Sequence, residues 1–300
     1  MRPSLAYFIL CHKSPQQVIR LIERLREDDT AFVIHVDKRS NEEVYTALRE
    51  FASKAGHVYF AERHRCYWGN FGIVRETISC IQAAIRLDLP FDYAFLLSGQ
   101  DYPIKANADI RSFLSRHQGA EFIESFCLET PNRWSKTGGY GQAMNRVQYW
   151  TVYIRSHCFQ IRLKRRFPRG WKPYGGSQWW CLSKDCISYL GEAVRKNKSI
   201  VRYFKWVFVP DESFFQTLLS NSPFHKKIIS ADLRYVDWIN PNPNYPRTLE
   251  LVDLAKLKAA SKIFARKVEK GRSDGLLDQL DRYLDNPERQ PESDGKILVP

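Results

Sequence analysis

The chain reads as an α/β protein with one mostly parallel central sheet and helices on both of its faces. Short apolar runs alternate with segments of helical period through the first hundred residues. Those runs are continuously apolar, as in strands covered on both sides, with no polar residue at every second place. Polar residues crowd the positions just beyond them, where parallel sheets present ligands.

The elements follow in order. Leu5 to Leu10 is the first buried strand. Ser14-Pro15 reads as a helix start, with Ser as cap and Pro in first position. Val18, Leu21, Ile22 and Leu25 then fall at helical spacing. Ala31 to Val36 is the second strand and ends in Asp37; Asn41 opens a helix through Phe51; Val58-Tyr59-Phe60 is the third strand. Ile73 to Leu87 reads as a long amphipathic helix, and Tyr93 to Leu97 as a fourth strand ending at Ser98-Gly99-Gln100-Asp101. The strand ends His35-Val36-Asp37, Glu62 to Trp68, and Ser98 to Asp101 together outline a ligand cleft.

The middle differs. Residues 126–176 are rich in Arg, Lys, Gly and aromatics and lack this alternation, so a long functional loop or helical insert is expected. Arg162, Lys164, Arg165, Arg166, Arg169 and Lys172 form a basic cluster there, interleaved with Phe167 and Trp171. Order returns at Ser177 to Leu182, followed by a helix from Lys184 to Lys196. Residues 211–220 read as a helix beginning at Asp211, Ile228 to Trp238 as strand, 240–244 as a turn-rich loop, and Lys256 to Glu269 as helix. From about Asn286 the chain is polar and expected to fray. No internal repeat is visible.

Composition sets bounds. Of 300 residues 44% are apolar, ample for a large core. Eight Trp and fifteen Tyr exceed what a core needs and suit a site with one apolar and one polar edge. A net charge of +13 attracts polyanions without choosing among nucleic acid, anionic lipid and phosphorylated small molecules. The seven Cys contain no CxxC and never cluster with His at ligand spacing, so free thiols in a reducing compartment are expected and a zinc site is not. No secretory signal or membrane-spanning run is visible, and a cytoplasmic place is expected.

Seven short segments then stand in a specific order. They are Ile34-His35-Val36-Asp37, Trp68-Gly69, Leu97-Ser98-Gly99-Gln100-Asp101-Tyr102-Pro103-Ile104-Lys105, Gly176-Ser177-Gln178-Trp179-Trp180, Pro210-Asp211-Glu212, Val236-Asp237-Trp238 and Phe264-Ala265-Arg266-Lys267. Through them the chain, from about residue 4 to 268, resembles the core-2/I-branching enzyme family. That family (glycosyltransferase family 14) includes β-1,6-N-acetylglucosaminyltransferases and peptide O-xylosyltransferases. The resemblance implies a variant GT-A fold and a UDP-sugar donor, with GlcNAc or xylose as the favoured sugar. It also implies inversion at the anomeric carbon without a metal, and a glycan or lipid-linked saccharide as acceptor. One domain is expected over 1–285, with a nucleotide-binding half (1–125), an acceptor and catalytic half (126–285), and a flexible tail (286–300).

The chemistry asks for few groups. One carboxylate must take the proton of the attacking hydroxyl, and positive charge must stabilise the departing diphosphate. No Asp-x-Asp stands at a strand end to hold a metal. By resemblance Glu212 is the base, and a place just inside a helix start would favour its ionised form. Arg247 and Lys267 match the cations that grip the diphosphate. His35, Val36, Asp37 and Arg63 match the uridine side. Trp68, Asp101 and Ser177 complete the donor set: Trp68 walls the pocket or packs under it, and Asp101 orients a sugar hydroxyl or caps the turn before Pro103. Trp238 matches a residue that stacks on the acceptor sugar, with Glu129 and Arg133 in acceptor positions.

The disulfide cysteines and amino-terminal anchor of animal members are not matched, which fits a bacterial-type homologue. The basic segment 160–172 would then face an anionic membrane. A nucleic-acid-binding protein and a non-catalytic sugar-binding module are the competing readings. The first lacks any RNP, helix-turn-helix or zinc-finger pattern; the second does not explain Glu212 together with both cations.

Overall fold

Alternation within the first strand decides the layering. The computed structural model describes residues 2–136, 142–154, 157–239 and 245–286. Strand β1 (Leu5–Cys11) is buried along its whole length. Ala6, Phe8 and Leu10 enter one core, while Leu5, Tyr7, Ile9 and Cys11 enter another on the opposite face. A continuous apolar run is thus two half-strands, each feeding its own layer.

The chain continues through α1 (Pro15–Leu25), β2 (Thr30–Val36), α2 (Glu42–Ala55), β3 (Val58–Phe60), α3 (Phe71–Arg86) and β4 (Tyr93–Ser98). Next come β5 (Asp101–Pro103), α4 (Asn107–Arg116), β6 (Glu121–Ile123), β7 (Phe126–Cys127), α5 (Ala143–Gln148), β8 (Tyr149–Ile154), β9 (His157–Lys164), β10 (Tyr174–Gly175) and β11 (Trp180–Ser183). The last third holds α6 (Lys184–Lys196), α7 (Lys198–Phe204), α8 (Phe214–Ser220), β12 (Ile228–Ile229), β13 (Arg234–Val236), α9 (Leu254–Ala259), β14 (Phe264–Arg266) and α10 (Asp274–Asp285). The main sheet has seven strands in the order β12-β6-β11-β4-β1-β2-β3. Strand β11 runs antiparallel to both its neighbours; the other pairings are parallel. Helices α3, α6 and α8 line one face and α1, α4 and α10 the other. This is the expected α/β layout. The turn-rich loop at 240–244 and the tail from 287 onward lie outside the described residues.

Several local expectations need correction. Pro15 does open α1, but Ser14 sits in the left-handed region at φ 52 and its side chain makes no cap. Its carbonyl instead accepts the amides of Gln17 and Val18. Glu212 is not in the first turn of an α-helix. Pro210–Glu212 is a single 3-10 turn, and Ser213 at φ −146 breaks the chain before α8 begins. The helix-dipole argument for that carboxylate therefore falls.

Lys256 to Glu269 is not one helix either. It stops at Ala259 because Phe264 is drawn into β14, where its ring packs 5.3 Å from Phe95 and 6.3 Å from Tyr7. Ile228 to Trp238 divides between β12 on the main sheet and β13 on a second one. The basic middle is not one loop or one helical insert: among its described residues it holds the short helix α5, the antiparallel hairpin β8–β9 and, from 165 to 173, a stretch without strand or helix. Within its cluster, Arg165 is structural. Its guanidinium donates to the carbonyls of Val147, Tyr203 and Trp206 and stacks on Tyr203 at 3.9 Å.

All seven cysteines are free; five are buried, and Cys127 and Cys158 are partly so. Among the described residues, no helix is long and apolar enough to cross a membrane.

Candidate active site

The small sheet β13-β14-β5 assembles one wall of the cleft. Its register sets Arg266 opposite both Asp101 and Val236. Asp237, Trp238 and Lys267 follow immediately at the same end. Arg247 returns to this edge, its amide donating to the Asp237 carbonyl at 2.8 Å. The Leu249 amide then donates to the Lys267 carbonyl at 2.9 Å, so the segments carrying the two expected phosphate cations are laced together.

Both cations are held by carboxylates. Arg247 Nη2 lies 2.7 Å from Asp237 Oδ2 and 2.6 Å from Asp253 Oδ1. These partners raise the guanidinium's already high pKa and hold Asp237 low. Lys267 Nζ lies 3.4 Å from Glu269 Oε1. Lys13 Nζ reaches the same oxygen at 2.8 Å. Lys13 follows β1 directly, at the sheet edge where ligands bind, so that rule alone could have found it.

Asp101 is fully buried. It accepts the Ser98 amide at 2.7 Å and pairs with Arg234 at 3.1 Å and Arg266 at 3.4 Å. In this arrangement it braces cations and has no surface left for a sugar hydroxyl. Trp179 lies under both guanidiniums, 4.6 Å from Arg234 and 4.9 Å from Arg266. Arg266 Nη1 donates to Ser98 Oγ at 2.5 Å. Arg266 stood within a recognised motif, but only the register reveals that it faces the cleft.

The uridine-side residues form a shelf. His35 and Val36 are fully buried at the end of β2. His35 Nε2 accepts the His64 amide at 3.0 Å, which assigns the ring proton to Nδ1, 3.2 Å from Glu76 Oε2 but out of line for a hydrogen bond. Asp37 Oδ1 accepts the amides of Arg39 and Cys66. Arg63 donates to the Val36 carbonyl, pairs with Glu42 at 2.9 Å and covers the Tyr45 ring at 4.2 Å. His35 and Asp37 therefore tie the β3 loop down. His12 sits beside this shelf, with its imidazole pKa lowered by burial and by the charge of Lys13.

Among the described residues, His35, Cys66 and Glu76 form a group whose donor atoms lie within 4.8 Å of one another. A metal at Nδ1 would need the proton that the His64 contact puts there. Burial and the Glu76 charge also push the Cys66 thiol up. The trio is a buried polar knot under the shelf.

Glu212 occupies the opposite wall. Its carbonyl accepts the Gly176 amide at 2.9 Å, and Gln216 donates to the Ser177 carbonyl at 2.6 Å, so the Gly176-Ser177 segment is clamped to the Glu212 turn. The Ser177 hydroxyl accepts the Trp179 amide at 3.4 Å. The Glu212 side chain is 29% exposed, and its Oε2 lies 2.5 Å from Arg146 Nη1. Arg146 stacks on Trp134 at 3.8 Å. Nothing in the local sequence announces Arg146; α5 is short and its neighbours carry no motif.

Arg133 also lies over this indole, at 5.3 Å, and pairs with Glu124 at 2.7 Å. Glu129 is exposed beyond β7, and among the described residues no hydrogen bond or ion pair ties it to this group. Trp238 is exposed at the cation wall. Trp68 bridges the walls, with Phe208 at 6.2 Å on one side and Tyr245 at 6.4 Å on the other. The expected residues thus fall into a cation wall, a shelf and a base wall, with Trp68 and Trp179 between them.

With this geometry in place, the comparisons are informative. A family profile described as Core-2/I-Branching enzyme matches residues 5–259. The chain belongs to that glycosyltransferase family. More particularly, it is similar to xylosyltransferase 1 of Canis lupus familiaris, at 27% identity over 93% of this chain and 30% of that protein. It is also similar to xylosyltransferase oxt of Drosophila melanogaster, at 26% identity over 91% of this chain and 32% of that one. Xylosyltransferase 2 of Rattus norvegicus is 26% identical over 93% and 33%. The chain spans about a third of the length of these relatives. Among solved structures, residues 1–349 of S. aureus TarS with UDP-GlcNAc give a TM-score of 0.30 at 12% identity, over 44% of this chain and 38% of that one, too slight a likeness to build on.

Proposed function

We propose that this protein is an inverting glycosyltransferase that moves a sugar from a UDP-sugar to a glycan hydroxyl without a metal. The acceptor hydroxyl attacks the anomeric carbon, Glu212 takes its proton, and the bond from that carbon to the diphosphate oxygen breaks. The departing UDP carries the new negative charge, which Arg247 and Lys267 stabilise in this reading. These cations rest on Asp237, Asp253 and Glu269. A diphosphate would replace those contacts with its own oxygens.

One observation carries the reading: the family profile spans the chain through both Glu212 and Arg247. Lys267 lies beyond that match and rests on its tie to Leu249. The names of the curated relatives favour xylose as the transferred sugar over GlcNAc. A glycan or lipid-linked saccharide is the acceptor in this reading, and the cytoplasm its setting.

The test is release of UDP from a panel of UDP-sugars, with and without EDTA, for the wild type and Glu212→Gln. The wild type is expected to turn over one donor in EDTA. The Gln variant is expected to bind UDP equally well and lose about 10²–10⁴-fold in kcat. Full activity in Glu212→Gln would remove the base, and activity abolished by EDTA would remove the metal-free mechanism.

A further inference from the structure

The chain's excess positive charge has a location. Residues 130–210 contain sixteen Lys and Arg but only Asp185 and Glu192 as acids, a net +14. The rest of the chain holds thirty basic and thirty-one acidic residues, a net of −1, which together make the +13 of the whole. This span includes the β8–β9 hairpin. Pairing sets Trp150 opposite Ile161 and Val152 opposite Phe159, so these four share one face.

The other face is bolted to the body. Gln160 is buried and donates to the Asn145 carbonyl at 3.0 Å, and the Tyr153 hydroxyl donates to the Gly69 carbonyl. On the outward face Phe159, Ile161 and Leu163 are 53%, 52% and 65% exposed. Trp206, 41% exposed, meets Trp150 edge-on at 5.8 Å and extends the apolar surface. Exposed Arg162, Lys164, Arg166, Arg169, Lys172, Arg202 and Lys205 belong to the same hairpin and the segments beside it.

We propose that this face docks on an anionic lipid bilayer. Apolar side chains more than half exposed on a strand, with long basic side chains exposed on the same hairpin and beside it, match the boundary where acyl chains meet phosphate headgroups. A nucleic acid would use the charge and leave three exposed apolar residues unexplained. A second copy would cover the apolar face but set +14 against +14. A bilayer satisfies both features.

The placement also serves the chemistry, and that part rests on the proposed function. Thr151 accepts no freedom from its neighbour: its amide donates to the Trp206 carbonyl at 2.9 Å, the Phe208 amide to Arg146, and the Val209 amide to Gly69. The segment leading into Glu212 is thereby joined to the hairpin at Thr151, to α5 at Arg146 and to Gly69. A lipid-tethered acceptor would arrive on the side of the fold that carries the base.

The experiment is flotation of the full chain with phosphatidylcholine vesicles, with and without phosphatidylglycerol, at about 0.15 M salt. The wild type is expected to float only with the anionic vesicles and to be released at high salt. Phe159→Ser/Ile161→Ser/Leu163→Ser and, separately, Lys164→Glu/Arg166→Glu are each expected to lower binding at least tenfold. Both should keep the wild-type melting temperature and UDP-releasing activity. Because docking is read by flotation and transfer by UDP release, either reading can fail without the other. Failure of the wild type to float overturns the docking, as does unchanged binding by both variants. Self-association abolished by the serine substitutions, without flotation, would assign the face to a second copy instead. Retention on an oligonucleotide without flotation would assign it to nucleic acid.

Discussion

Glu269→Gln isolates the charge that organises the cation wall. Glu269 Oε1 receives Lys13 Nζ at 2.8 Å, Gln100 Nε2 at 3.0 Å and Lys267 Nζ at 3.4 Å; Oε2 receives Thr248 Oγ1 at 3.0 Å. Burial alone would raise this carboxyl's pKa. Hydrogen bonds from Lys13 and Thr248, with the charges of Lys13 and Lys267, outweigh it and hold the group at about 2 rather than 4.5. At 1.36 kcal/mol per pH unit, that gap is worth roughly 3 kcal/mol. The side chain is still 22% exposed, and solvent screening reduces the expected effect to about 1–2 kcal/mol. A carboxylate with a depressed pKa gives its full stabilisation above its unfolded-state pKa and loses it as pH falls toward the folded value. Urea unfolding at pH 7 should therefore show Glu269→Gln less stable by about 1–2 kcal/mol, with the gap closing between about pH 4.5 and 2. Equal stability at pH 7, or a gap unchanged at pH 3, would refute the hub.

Two more substitutions probe the site itself. Arg247→Ala and Lys267→Ala should each lower kcat/KM for the UDP-sugar by about 10²–10³-fold, measured as UDP release, while kcat/KM unchanged in both would place the diphosphate elsewhere. Asp211 is buried, and its carboxyl is pushed up to about 8, first by burial and then by the charge of Glu212. A raised carboxyl costs the wild type stability as pH climbs from about 3.8 to 8, and Asn does not titrate. Asp211→Asn should thus gain on the wild type in melting temperature between pH 5 and pH 8; a constant difference would count against the buried acid.

The fold was largely legible because hydrophobic period is a local property. Leu5 to Leu10, Ala31 to Val36 and Lys184 to Lys196 declared themselves through their own residues. What stayed hidden depended on distant partners. Phe264-Ala265-Arg266 looks helical until β5, some 160 residues earlier, supplies an edge for it to pair with. Arg146 reaches Glu212 across 66 residues and has no motif of its own. Burial separated the site residues in ways the sequence did not. Asp101 and His35 carry chemistry-bearing side chains at strand ends, yet both turn inward to hold the frame. Arg247, Trp68 and Trp238 keep part of their surface in the cleft. The 3-10 turn at Glu212 is hidden from the local sequence for a related reason. Ser213 departs from helical geometry because the turn is clamped to Gly176 through a contact the local pattern does not encode.

The three-stranded sheet has a consequence for how the protein is made. Its central strand β14 arrives late in synthesis, whereas β5 has been waiting since residue 103. Until Phe264 to Arg266 emerges, β5 and β13 lack the strand that joins them, and Asp101 lacks its contact with Arg266. Pairing over such a sequence distance is slow to close. The wall built on this sheet therefore closes only when β14 enters between two strands that precede it in the chain.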